Sequence, residues 1–169
     1  MRAAIFAVMV LAGLGQPAAQ AEDVKAERYV LKDDPHTGSS IRRESSYSTL
    51  PFDKPYRELS EEQQRVVKAE YVSMGEGDEP PFPAKGTAHL FRALHEGNRK
   101  LKDAGVLHLA AVVDATGAVT EVKIYETPSQ EMARFMAGVL SLEQYKPALC
   151  KGVPCTQEYS FKVSLHRKY

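Results

Sequence analysis

The residues with the clearest chemical potential are the two cysteines, Cys150 and Cys155, separated by Lys-Gly-Val-Pro. A turn containing Gly and Pro lets two Cβ atoms approach the ~3.8 Å that a disulfide requires. An even number of cysteines in an exported chain reads as a bridge. On the chain-entropy model so short a loop contributes about 2 kcal/mol. A zinc site would need two more soft or imidazole ligands, and none stands at suitable spacing. Dithiol redox chemistry favours Cys-x-x-Cys, whereas this pair is Cys-x-x-x-x-Cys. The spacing predicts a structural disulfide and no metal.

The other candidate groups do not assemble into a catalytic pattern. His36, His89, His95, His108 and His166 include no i, i+4 pair and no His-Glu-x-x-His. His108 interrupts an apolar run and reads as a buried or partly buried, hydrogen-bonded side chain, not as a base. Ser45, Ser46 and Ser48 lie in a polar stretch without a Gly-x-Ser-x-Gly elbow. No glycine-rich phosphate loop occurs. Asp78-Glu79 reads as a solvated turn, with contact to a basic partner as its functional alternative. Met132 and Met136 read as core. The sequence therefore predicts no catalytic residue, no cofactor and no enzyme activity.

Main-chain pairing is the chemistry that remains. Tyr159, Phe161, Val163 and Leu165 alternate with Ser160, Lys162 and Ser164, the pattern of a strand with one buried face. At the rim of a sheet, such a strand can take up an extended segment from a partner. An outward Lys162 guards it mildly; a covering arm or a second copy would guard it more fully. Proline at Phe161 or Val163 is expected to remove an edge amide.

Several elements must position this strand. Residues 1–21 read as a signal peptide, with basic Arg2, an apolar run from Ala3 to Leu14, and Ala19-Gln20-Ala21 as the cleavage site. The run is far shorter than the ~20 residues of a spanning helix. The remainder is one domain's worth of chain. The whole sequence carries 22 basic and 22 acidic residues, which gives no long-range attraction to nucleic acid or anionic membrane. Residues 22–57 read as an irregular or partly disordered arm, pinned by Tyr47, Leu50, Phe52 and Tyr56. In the 58–79 segment Ser60-Glu61-Glu62-Gln63 is a capping box that opens a helix. Val67, Tyr71 and Met74 form its apolar face, and Gly75 and Gly77 end it. The prolines at 80, 81 and 83 predict a stiff extended linker.

Residues 80–169 hold the main module. A second helix is expected from Thr87 to Asp103, with Gly105 as the glycine after its C-terminus. Val106 to Val113 is almost continuously apolar and reads as a central strand buried on both faces. Asp114-Ala115-Thr116-Gly117 is a hairpin loop, and Val119 to Tyr125 is a half-exposed strand. Thr127, Pro128 and Gln130 occupy the N-cap, N1 and N3 positions of a third helix. Its apolar stripe is Met132, Phe135, Met136, Val139 and Leu140, and Pro147 stops it. The expected fold is α+β: two helices, then a β-β-α-β core with a three-stranded antiparallel sheet in the order 2-1-3. The last strand is then an edge.

Gly105, Gly117, Val119, Tyr145-Lys146-Pro147-Ala148 and Gly152-x-Pro154, in that order, resemble the C-terminal domain of TonB-type energy transducers. The resemblance spans roughly residues 80–165 and is strongest from Gly105 onward. It implies a periplasmic domain that grips a short extended segment of an outer-membrane transport protein by strand addition. The matching edge would be Tyr159, Ser160, Phe161, Lys162, Val163, Ser164 and Leu165. Such transducers keep a membrane anchor and a long Pro-rich spacer. This chain instead has a leader that reads as cleavable, a brief Pro cluster, and a whole helix between Pro83 and Gly105. What the resemblance implies is therefore fold, compartment and strand capture, without membrane insertion after cleavage. The expected partner is an envelope protein or peptide segment, with a homodimer or a structural assembly role as the alternative.

Overall fold

The computed structural model describes residues 29–32 and 45–166. Met1–Ala21, the expected signal peptide, lies outside the described residues. The chain is mixed α+β. Its strands are β1 (Tyr29–Lys32), β2 (Ser45–Ser48), β3 (Phe82–Pro83), β4 (Gly105–Val113), β5 (Val119–Glu126), β6 (Tyr145–Lys146), β7 (Ala148–Cys150), β8 (Val153–Cys155) and β9 (Gln157–Leu165). Its α-helices are α1 (Glu61–Lys68), α2 (Ala88–Leu101) and α3 (Gln130–Leu142). All the sheets are antiparallel. The largest has three strands, with β4 between β5 and β9; β1–β2, β3–β6 and β7–β8 form two-stranded pairs.

Helix α1 starts as its capping box dictates. The Ser60 hydroxyl accepts from the Gln63 amide at 3.3 Å, and the Gln63 side chain accepts from the Ser60 amide at 3.0 Å. It ends earlier than the apolar spacing suggests. Only Val67 of the expected stripe is helical and buried, because the chain turns after Lys68 and carries Tyr71 to β9. Tertiary contact overrides local propensity here. Helix α2 is closed by Lys102, not by Gly105. Lys102 takes the left-handed conformation (φ 57°) and its amide bonds to the Asn98 carbonyl at 2.7 Å. Gly105 instead opens β4 at φ +131°. The N-cap of α3 is Ser129, two residues past the expected Thr127, and its hydroxyl accepts from the Met132 amide at 3.1 Å. Helix α3 ends at Leu142, before Pro147, leaving Tyr145 and Lys146 free to pair with β3.

Two further expectations are corrected. Part of the 22–57 arm is regular, since β1 and β2 pair through Tyr29–Ser48 to Lys32–Ser45, and Gln63 Nε2 donates to the Tyr29 hydroxyl at 2.8 Å. The proline segment is not a linker: Pro80, Pro81 and Pro83 are fully buried, and Phe82–Pro83 pairs with β6.

The core lies on one face of the three-stranded sheet. Leu107, Leu109, Ala111 and Val113 of β4 face Leu90 and Leu94 of α2 and Met132, Met136 and Leu140 of α3 in one buried cluster. The two helices approach closely at Gly97, where an added Cβ would meet the Phe135 ring at 2.6 Å. The opposite face of β4 carries Val106, His108 and Val112, all only partly buried, and the small Ala110, which its neighbours bury. The strand is thus central, and among the described residues helices cover it on one side only.

Candidate functional site: the outer edge of β9

β9 is held firmly on its inner side. It pairs with β4 over nine consecutive residues, from Gly105–Leu165 to Val113–Gln157. Tyr159 and Phe161 enter the core. The Tyr159 ring sits 5.2 Å from Tyr145 and 6.2 Å edge-on from Phe82, and Phe161 sits 5.4 Å from Phe91. Val163 and Leu165 pack against the same cluster, half-buried. Lys162 and Ser164 point to solvent.

The hydrogen-bond phase of this edge follows from one contact. The Tyr71 hydroxyl donates to the Glu158 carbonyl at 2.9 Å. Burial holds the Tyr71 pKa well above the ordinary tyrosine value, with the Ser160 backbone N–H acting in the opposite direction. In an antiparallel strand the N–H and C=O of one residue point the same way, and successive residues alternate. Glu158, Ser160, Lys162 and Ser164 therefore turn their backbone groups outward, while Tyr159, Phe161, Val163 and Leu165 turn theirs to β4. This corrects the proline expectation: Phe161 and Val163 lend their amides to β4, so the edge is tested by proline at Lys162 or Ser164.

Beside the edge, the uncovered sheet face is polar and cross-linked. Lys123 Nζ lies 2.5 Å from Glu158 Oε1, and the Tyr125 hydroxyl donates to Glu158 Oε2 at 3.0 Å. The Lys123 ammonium, followed by the Tyr125 hydroxyl, holds the Glu158 carboxyl below its ordinary range. His108 lies 3.3 Å from Ser160 Oγ through Nε2 and stacks 4.9 Å from the Tyr125 ring. These bonds tie β5, β4 and β9 together.

Gly117, Tyr145 and Pro147 of the TonB-like pattern meet at the end of the sheet where β4 turns into β5, whereas Gly105 opens β4 at the other end. Gly117 has φ +90°, and a Cβ there would collide with the Tyr145 carbonyl oxygen; its own carbonyl accepts from the Tyr145 amide at 3.3 Å. Pro147 lies against the same glycine. Tyr145 and Ala148 are buried and Val119 is partly buried. Lys146 reaches inward: its ammonium meets Glu79 at 3.1 Å and the Pro80 and Pro147 carbonyls at 3.1 and 2.8 Å, and it stands 5.0 Å over the Tyr56 ring. Burial lowers its pKa, opposed by Glu79.

Cys150 and Cys155 form a disulfide across the β7–β8 hairpin, with Cα atoms 5.8 Å apart. Lys151 and Gly152 make its left-handed turn (φ 51° and 81°), and Pro154 is exposed in β8. The hairpin docks on the loop before the prolines. Glu79 exchanges backbone hydrogen bonds with Leu149, the Gly152 amide bonds to the Gly77 carbonyl at 3.0 Å, and Asp78 Oδ1 accepts from the Lys151 amide at 2.7 Å. Asp78-Glu79 is therefore not merely a solvated turn but the seat of the disulfide hairpin.

Sequence reasoning missed the contacts of Tyr71 and Lys146 and the Lys123–Glu158–Tyr125 bridge. Tyr71 fell into a helical stripe by spacing, and cross-strand partners carry no signal within a single strand. Among the described residues no helix is long and apolar enough to cross a membrane, and no three His, Cys, Asp or Glu side chains gather as metal ligands. No protein-family model, curated protein or solved structure matches the chain.

Proposed function

We propose that the protein is a periplasmic interaction module, similar to the C-terminal domain of TonB-type energy transducers. It binds an extended segment of an envelope or outer-membrane transport protein by strand addition to β9. The observation that carries this reading is the row of outward backbone groups at Lys162 and Ser164, on an edge where no other strand pairs among the described residues. In the three-stranded sheet β4 and β5 precede α3, and β9 follows it after the short strands β6, β7 and β8 and lies beside β4, which supports reading the core as β-β-α-β in the order 2-1-3. The approach of Gly117 to Tyr145 gives a physical reason for the spacing of the glycine hairpin and the Tyr-Lys-Pro-Ala motif.

The edge β5 is less suited to pairing. Its register against β4 shifts twice, between His108 and Leu109 and between Val112 and Val113, and such bulges turn an edge away from neighbours. The test is recovery of a partner from envelope extract by wild type, Lys162→Pro and Ser164→Pro proteins, with solution mass measured in parallel. Proline at either position should abolish recovery while the protein stays folded. Equal recovery by all three would overturn the reading. A mass that doubles in the wild type alone would favour the assembly subunit, its edge filled by a second copy.

A further inference from the structure

The two ends of the β9 edge differ. At Lys162 and Ser164 the outward groups face solvent, with both residues exposed. At Glu158 the outward carbonyl is taken by a side chain, through the 2.9 Å bond from the Tyr71 hydroxyl. Tyr71 arrives on the short turn after α1, so it is not part of a strand paired with β9 and reaches the edge through its hydroxyl. The phenol thus occupies the Glu158 carbonyl, an outward acceptor that a longer ladder would need.

We propose that Tyr71 is a removable stop that sets the register of strand addition. An incoming extended segment pairs first at Lys162 and Ser164, and it reaches Ser160 and Glu158 only by displacing the Tyr71 hydroxyl. The stop thereby selects short segments, or segments able to outbid one hydrogen-bonding side chain. It also keeps an otherwise open nine-residue edge from pairing along its length. The proposal rests on strand addition at β9 and adds to it a specificity-determining residue on a different element.

The experiment uses a synthetic peptide copying Gln157–Leu165, an alternating extended segment, titrated into the full chain by amide NMR. Tyr71→Phe keeps the ring and removes the hydroxyl. In the wild type, perturbation should be confined to Lys162, Ser164 and their neighbours. In Tyr71→Phe the footprint should extend to Ser160 and affinity should rise about fivefold, the size of one net hydrogen bond. The same affinity and footprint in both proteins would overturn the stop and leave strand addition standing. Absence of binding to either protein would overturn strand addition, and the stop with it.

Discussion

Gly117 shows how much one missing side chain can carry. It combines a left-handed backbone with van der Waals contact to the next element, so Gly117→Ala adds strain and a collision with the Tyr145 carbonyl together. We expect a loss of about 2–4 kcal/mol in urea-unfolding experiments, several times that of an ordinary surface change. Glu158 offers a second test. Its depressed pKa means that the pair with Lys123 stabilises the fold above the ordinary carboxylate range, and that this stabilisation is lost as pH falls through the depressed folded value. In Lys123→Met the Glu158 carboxyl should titrate at higher pH, read from its side-chain carbon shift, and the acid limb of the stability curve should move up with it. At this scale the sequence was partly legible. The glycines and the cysteine pair announced themselves through turn chemistry. Lys123, Glu158 and Tyr71 did not, because each acquires its role from a residue on another element.

The elements are legible where a local rule fixes them and obscure where packing does. The capping box fixes the start of α1, and the alternation of Tyr159, Phe161, Val163 and Leu165 predicts β9 and its buried face. The end of α1 and the cap of α3 were displaced because Tyr71 and Ser129 meet distant partners: β9 for the first, and for the second Asp103, whose carboxylate accepts from the Ser129 hydroxyl. Ser129 therefore serves two elements, and Ser129→Ala should cost about 1 kcal/mol from the cap alone in thermal unfolding. The disulfide hairpin β7–β8 invites a similar measurement. Replacing both cysteines by serine should remove about 2 kcal/mol of stability. Because the hairpin seats on Gly77, Asp78 and Glu79, hydrogen exchange should quicken at Glu79 and Leu149 before the sheet core is affected.

Across the whole molecule, the α+β class and the three-stranded antiparallel sheet follow from hydrophobic periodicity. The buried prolines and the β1–β2 pair do not, since both look like irregular, polar or breaker-rich sequence until another segment covers them. Placing helices on one sheet face concentrates the apolar load there. Leu109→Ala should therefore cost about 2–5 kcal/mol, measured by denaturant unfolding, whereas changes at exposed Lys162 should fall within about 0.5 kcal/mol. The nine-residue ladder between β4 and β9 also has a mechanical meaning. A tug along the strand axis, transmitted by anything clipped to the outer rim, would load all the rungs at once and meet high resistance. A tug at right angles would peel them one after another. The direction of pull, more than its strength, then decides whether the joint holds.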